Sequence, residues 1–414
     1  MELVTAQVAR YRLRVVDLDA LYREHAPAIA ASLARSFGAR RLDLIEAAVQ
    51  EAFVSAIESW CAEVPERPGA WLQVAARRRV IDAIRRAAWS APSEALDQLE
   101  APAGAPDRDE DLLKMMFVCC HPAIPLESAL ALALRTLCGF PVPALCRALR
   151  LDEAAVEKRL MRARQVMREE HVELDGVPDG QIAVRLDGVL RMLYVLFLEG
   201  YSAHAGDTQI DEDLCRSAIR LSGLLLATRF ATPRGHALHA LFLLQAARLP
   251  SRVDAAGDLV PLDRQDRAAW DRAMIAEGLE HLGLASTGDV VSPFHLEAAL
   301  AACHALAATY AATDWPQIVA LYDQLLALTP SPVIALQRAI AVGRADGARA
   351  GLRALQGLAG NDRLEDDPVL AAALGELEAQ RGDVRAARTA YLRALELAGT
   401  APERRFLEKC LAAL

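Results

Sequence analysis

Two stretches of this chain concentrate arginine in a way that could hold a polyanion. Residues 67–86 carry six Arg and a single acid, Asp82, and residues 135–168 carry eight basic groups against three acids. Between them, residues 93–111 carry seven acids and one Arg. Guanidinium groups are always charged and present a fork of donors that matches phosphate oxygens. Two basic blocks around an acidic segment are the footprint of two separate polyanion contacts; either block alone reads first as a solvated helix face. Other reactive side chains are less well placed. Cys119, Cys120 and His121, with Cys138 and Cys146 downstream, lack the paired CxxC or CxxC-plus-HxxxH spacing of zinc sites. They read as small apolar groups packed between helices. Ser202, His204 and Asp207 have the composition of a nucleophile set but no GxSxG elbow. No Gly-rich phosphate loop follows a strand pattern. The expected chemistry is therefore binding without catalysis: no enzyme, no cofactor, no metal site.

The elements that must position these groups read as helices throughout. Apolar residues recur at three and four, Ala and Leu dominate, and β-branched runs are missing. The fold class expected is all-α. At 414 residues, with 53 % hydrophobic and 24 % charged residues, the chain has material for two or three cores and is not disordered. Its net charge of −9 argues against nucleic acid until it is split. Residues 1–170 hold 23 basic and 24 acidic groups, whereas residues 171–414 hold 23 and 31. Only three of the basic residues are Lys (Lys114, Lys158 and Lys409), so the Arg bias by itself says little about phosphate. The N-terminus lacks a signal-peptide pattern, no apolar run reaches the roughly 18–20 residues of a membrane span, and eight unpatterned Cys suggest reduced thiols. A cytoplasmic protein without membrane contact is expected. Pro/Gly breaks at 101–106 and 175–180 divide it into 1–92, an acidic linker 93–111, 112–172 and 180–414.

In the first part, Ile45, Ala48, Val49, Ala52, Phe53, Ala56 and Ile57 share one helical stripe, with Glu46, Gln50, Glu51 and Glu58 off it. A Pro-containing loop follows at Cys61–Gly69. The next helix, Trp71–Arg86, has its stripe at Leu72, Ala75, Ala76, Val80, Ala83 and Ile84, and Arg77, Arg78, Arg85 and Arg86 outside it. Arg on an outer face suits single-stranded or melted DNA. Trp71 either anchors the core or supports an unstacked base. In the second block a short helix, Val142–Leu149, precedes a turn and a longer helix for which Asp152 is the expected N-cap. Val156, Leu160, Ala163 and Met167 form its inner stripe; Glu157, Lys158, Arg159, Arg162 and Arg164 lie largely outside. Two helices about a tight turn, the second basic on its free face, make a helix-turn-helix pattern. Arg159 and Arg162 could address one wall of a major groove.

The order of these parts resembles the sigma-70 family of RNA polymerase sigma factors, extracytoplasmic-function type. YREHAPAIAASLARSFG…IEAAVQEAFVSAIESW with PGAWLQVAARRRVIDAIRR is similar to region 2, and LESALALALRTLCGFPVPALCRALRLDEAAVEKRLMRARQVMR to region 4. DGQIAVRLDGVLRMLYVLFLEGYSAHAGD, LDRQDRAAWDRAMIAEGL and TDWPQIVALYDQLL resemble the subgroup with a long C-terminal helical-repeat extension. FVCCHPAI (Phe117–Ile124) is a further distinctive string. The resemblance implies that Glu46, Gln50, Glu51 and Phe53 dock on core RNA polymerase, with Ala47 standing where the family commonly has Asp. It implies that the 61–69 loop and Trp71, Arg77, Arg78, Arg85 and Arg86 hold the melted −10 element. Glu157, Lys158, Arg159, Arg162 and Arg164 would read the −35 element of promoter DNA. The acidic linker would separate two DNA-binding domains. The alternative is a helix-turn-helix DNA-binding adaptor on a helical-repeat scaffold, working without polymerase.

Toward the C-terminus, IVALYDQLLALTP, ARAGLRALQGLAG and VRAARTAYLRALELAG each end in Leu before a break, at Leu328, Leu358 and Leu397. Their spacing approximates the tetratricopeptide period of about 34 residues. Small residues and Tyr391 fall where two paired helices would touch. Such a repeat is expected to modulate activity and to take a regulatory protein; the other expectation is a helical lid with no outside partner. Asp263, Arg264, Asp266, Arg267 and Asp271 read as a solvated helix in which Arg267 and Asp271 pair.

Overall fold

The computed structural model describes residues 21–60, 65–88, 108–149, 151–170, 179–201, 211–254, 257–258, 260–358, 364 and 366–414. Among the described residues there are eighteen α-helices and no strand. The chain divides into two compact units, one ending at Leu196 and the other beginning at Phe197. The acidic linker, apart from its last residues, and Ser202, His204 and Asp207 lie outside the described residues.

The first unit holds α1 (21–37), α2 (Leu42–Ser59), α3 (Pro68–Ala88), α4 (Arg108–Cys119), α5 (Leu126–Leu137), α6 (Val142–Leu149), α7 (Glu153–Glu169) and most of α8 (Asp179–Tyr201). Each helix forms because one face is apolar at helical spacing. In α2, Ile45, Ala48, Val49, Ala52, Phe53 and Ala56 are buried; Ile57, assigned to the same stripe from sequence, lies at its margin and is 39 % exposed. In α3, Leu72, Ala76 and Val80 are fully buried. In α7 the buried set is Val156, Leu160, Ala163 and Met167, and Asp152 caps the helix by accepting from the Ala155 N–H at 2.7 Å. Full burial of a Leu or Val side chain contributes about 1.5–3 kcal/mol. The end of the linker is tied down by an ion pair from Arg35 Nε on α1 to Asp111 Oδ1 on α4, 2.9 Å, with Asp111 almost wholly buried. Burial pushes the Asp111 carboxyl above its ordinary pKa although Arg35 opposes this.

The second unit continues with α9 (Glu212–Leu226), α10 (Pro233–Ala246), α11 (Arg272–Ala285), α12 (Pro293–Leu306), α13 (Trp315–Leu328), α14 (Pro332–Asp346), α15 (Ala348–Gln356), α16 (Pro368–Arg381), α17 (Val384–Leu397) and α18 (Ala401–Ala412). Successive helices share cores. Leu296, Leu300, Ile318, Leu321 and Leu325 pack α12 on α13, Leu336, Leu352, Leu355 and Leu377 join α14, α15 and α16, and Tyr391, Ala394 and Leu407 join α17 to α18. Small residues allow the close approaches. A Cβ on Gly375 would stand 2.8–2.9 Å from the Tyr391 ring, and one on Gly351 would stand 2.7 Å from the Gly343 Cα. The sequence places Tyr391 at such a helix contact, and that is where it sits.

The alternating charges at 263–271 do not form the expected solvated helix. Arg267 lies in a short 3-10 turn and donates through Nη1 to the carbonyls of His304 (2.6 Å) and Ala307 (2.8 Å). Asp271 instead caps α11, accepting from the N–H groups of Ala273 and Met274. A strong N-cap ends the pattern before an i,i+4 pair can form. His304 is half-buried, edge-to-face with Trp315, with ring centroids 5.5 Å apart. Burial, helped by Arg248 and Arg267, holds its pKa down at about 4. The unfolded chain takes up that proton near the ordinary histidine value of about 6.5, so this contribution is fully present above pH 6.5. It is lost as pH falls from there toward 4, amounting to at most about 3 kcal/mol. Urea unfolding of the second unit measured across this range should show the loss, and a His304→Gln variant should lessen it without abolishing it, because buried His239, also held at about 4, titrates in the same window.

Candidate nucleic-acid interface

The outer face of α3 carries the first arginine group. Arg78, Arg85 and Arg86 are exposed. Arg78 and Arg85 make no ion pair among the described residues, and Arg86 Nε reaches only the Asp82 carbonyl at 3.4 Å. Arg77 lies over the Phe37 ring, 5.4 Å from its centroid, a cation–π contact that holds the stem while leaving the charge near the surface. Trp71 packs edge-on against buried Trp60, 5.3 Å between centroids, and keeps part of its own surface open. It thus anchors the start of α3 without being sealed in. Arg79, which the sequence reading did not single out, is turned inward, bonding Ser55 Oγ at 2.5 Å and facing Glu51 at 3.5 Å.

On α7, Glu157, Lys158 and Arg162 are exposed and Arg159 is half-buried. Arg164 behaves differently. Its guanidinium bonds the Glu46 carboxylate and meets Asp43 Oδ1 at 2.8 Å, leaving the Arg164 side chain 16 % exposed and that of Glu46 11 %. Arg168 reaches the other Asp43 oxygen at 2.8 Å. Thr136 on α5 donates to Glu46 Oε1 at 2.9 Å, and Arg135 Nε stands 3.9 Å from Oε2 while its Nη1 donates to the Phe140 carbonyl. The structure therefore joins two residues that the sequence assigns to different partners, Glu46 to polymerase and Arg164 to DNA. Asp43, an acid in the first turn of α2, and Thr136 complete the network. A cleft beside it is lined by Ala47, Gln50, Val142, Glu157 and Leu160.

Of the remaining α2 candidates, Gln50 and Glu51 are exposed, and Phe53 is buried with its ring 4.8 Å from Tyr22. Phe53 thus faces the core. The open face of α2 includes two apolar residues absent from the sequence-based set, Val54 at 53 % and Ile57 at 39 % exposure.

The Cys119–Cys120–His121 string is packed inside the first unit. Both thiols are buried, and Cys120 Sγ lies 4.0 Å from Met192 Sδ. Burial pushes the Cys120 thiol up to about 12. Since the thiolate is the reactive form, alkylation of Cys120 at pH 8 should run about 10³-fold slower in the native chain than in urea, as read by mass spectrometry of trapped peptides.

Comparison with known proteins agrees with this layout. Residues 21–90, spanning α1 to α3, match Sigma-70 region 2. The chain belongs to the sigma-70 family of sigma factors. Residues 185–286 match a family of unknown function, DUF6596. An uncharacterized protein of Rhizobium meliloti (strain 1021), R00370, is 39 % identical over 380 residues, covering 89 % of each chain. No solved structure matches. No helix among the described residues is long and apolar enough to cross a membrane.

Proposed function

We propose that this chain is an extracytoplasmic-function sigma factor that directs core RNA polymerase to promoters in the cytoplasm, with its second unit modulating that activity. The observation that carries the reading is the match to region 2 on α1–α3, together with exposed Arg78, Arg85 and Arg86 on the free face of α3. In this reading α3 and the loop before it hold the melted −10 strand. Helices α6 and α7 form a helix-turn-helix whose Lys158, Arg159 and Arg162 address the −35 duplex. Gln50 and Glu51, flanked by Val54 and Ile57, offer the open part of a polymerase-docking face, and Glu46 joins it when Arg164 is withdrawn. The work is binding: DNA capture and placement, with no covalent step. The paired helices of the second unit support a helical-repeat surface for a regulatory protein. Purified chain mixed with core polymerase should give initiation at discrete start sites on genomic promoter fragments. DNA binding of equal strength and specificity without core polymerase would favour the adaptor reading instead.

A further inference from the structure

Helices α10 and α11 lie unusually close, because a Cβ on Gly278 of α11 would fall 2.9 Å from Leu244 Cγ and 3.4 Å from the Ala240 carbonyl of α10. The approach gathers a set of side chains that the sequence reading passed over. His236 and His239 are three apart on α10, and Glu277 and His281 are four apart on α11, so each pair projects from one helix face. One donor atom from each of His239, Glu277 and His281 falls within 4.8 Å of the others. His239 Nε2 and Glu277 Oε1 are 4.0 Å apart.

His239 is held from its other ring nitrogen. Its ring is 4 % exposed, and its Nδ1 lies 2.8 Å from Ser222 Oγ on α9. The Ser222 hydroxyl has one proton, and the carbonyls of Ala218 at 2.8 Å and Ile219 at 2.9 Å are both within reach of it. When that proton goes to a carbonyl, His239 Nδ1–H donates to Ser222 and Nε2 is the free ligating nitrogen on the side of the Glu277 carboxylate. A lone pair and a carboxylate facing each other repel until a proton or a metal cation lies between them, and a third donor at His281 favours the metal. A ligating imidazole that donates its other ring N–H to a fixed acceptor is the usual arrangement around zinc. His236 supports the second imidazole in a similar way, its Nδ1 being 2.8 Å from His281 Nδ1.

We propose that His239, Glu277 and His281 bind a divalent zinc-class cation that clips α10 to α11. Two imidazoles and a carboxylate suit that class. Ligand atoms about one tetrahedral zinc stand about 3.3 Å apart; rotation of the exposed Glu277 side chain brings in the carboxylate, and small turns of the two imidazoles must supply the rest. The site lies in the segment that matches the family of unknown function. Its Nε2 lone pair, imidazole pair and carboxylate come from residues far from Cys119 and Cys120 in sequence.

The test uses the full chain, stripped with a chelator and then given zinc chloride alone. Elemental analysis should find about one zinc per chain. Cobalt(II) in its place should give a visible d–d spectrum without a thiolate charge-transfer band. His281→Gln and Glu277→Gln alter partly open side chains, so folding should survive, as circular dichroism will show, and each should weaken zinc binding at least about 100-fold. Ser222→Ala should weaken it about 10–100-fold by freeing the His239 ring. A wild-type chain that holds no zinc, zinc retained equally by His281→Gln and Glu277→Gln, or a thiolate band in the cobalt spectrum would each overturn the site. Metal binding is read without polymerase, so its failure would leave the sigma-factor reading untouched.

Discussion

Replacing Arg164 by Ala should destabilise the first unit by about 3 kcal/mol, whereas Arg162→Ala, two residues away on the same helix, should change stability by no more than about 0.5 kcal/mol. The difference lies in what each guanidinium touches. Arg164 neutralises a Glu46 carboxylate that is only 11 % exposed, and its loss strands that charge with Thr136 and a more distant Arg135. Stranding one partner of a nearly buried pair is what makes such a loss large. Asp43 is 52 % exposed, so its pairs with Arg164 and Arg168 contribute little. Hydrogen exchange of the α2 and α7 amides would measure the change without interference from the second unit. Restoring neutrality with Glu46→Gln in the Arg164→Ala background should recover part of the loss, and strictly additive effects would count against the pairing. For Arg162→Ala the deficit should instead appear in promoter binding by the holoenzyme, about 1–3 kcal/mol where a guanine contact is removed.

The second large effect is expected on α3. A chain with Arg78, Arg85 and Arg86 all changed to Ala should keep its fold, since all three are exposed and none holds an ion pair among the described residues. With polymerase it should open promoters poorly. Each arginine that neutralises a phosphate displaces counterions, so affinity depends on salt with a slope of about 0.7–0.9 per contact. The triple variant should therefore show a log K against log salt slope shallower by about 2–3, together with weaker binding at low salt. An unchanged slope would remove α3 from the DNA surface. Arg77→Ala should act differently, because its stem rests on Phe37 and the substitution also removes packing.

Much of this architecture is legible in the sequence where a single helix decides the outcome. The stripe Val156, Leu160, Ala163 and Met167 is buried as its spacing requires, and Asp152 caps α7 through a bond three residues long. Leu72, Ala76 and Val80 behave likewise. What periodicity leaves open is how one helix face meets another. Phe53 lies on the apolar stripe of α2, and its core position follows from that stripe; only the family resemblance had set it at a polymerase contact. Glu46 and Arg164 are 118 residues apart, and nothing in either helix announces that the two charges meet. The His239, Glu277 and His281 cluster was hidden for the same reason. Its two helical pairs become one set of ligands only after Gly278 has brought α10 and α11 together.

The Arg164–Glu46 contact belongs to a single chain, which gives it a property no separate inhibitor has: it cannot be diluted away. A partner that needs the Glu46 carboxylate meets a tethered rival at fixed effective concentration. Its measured affinity equals the intrinsic value multiplied by the fraction of molecules in which α7 has let go. If that fraction were about 1 %, the apparent Kd would rise about 100-fold. Anything that draws α7 away, a −35 duplex included, would then tighten the grip on the other partner by the same factor, so that two weak contacts become strong only together.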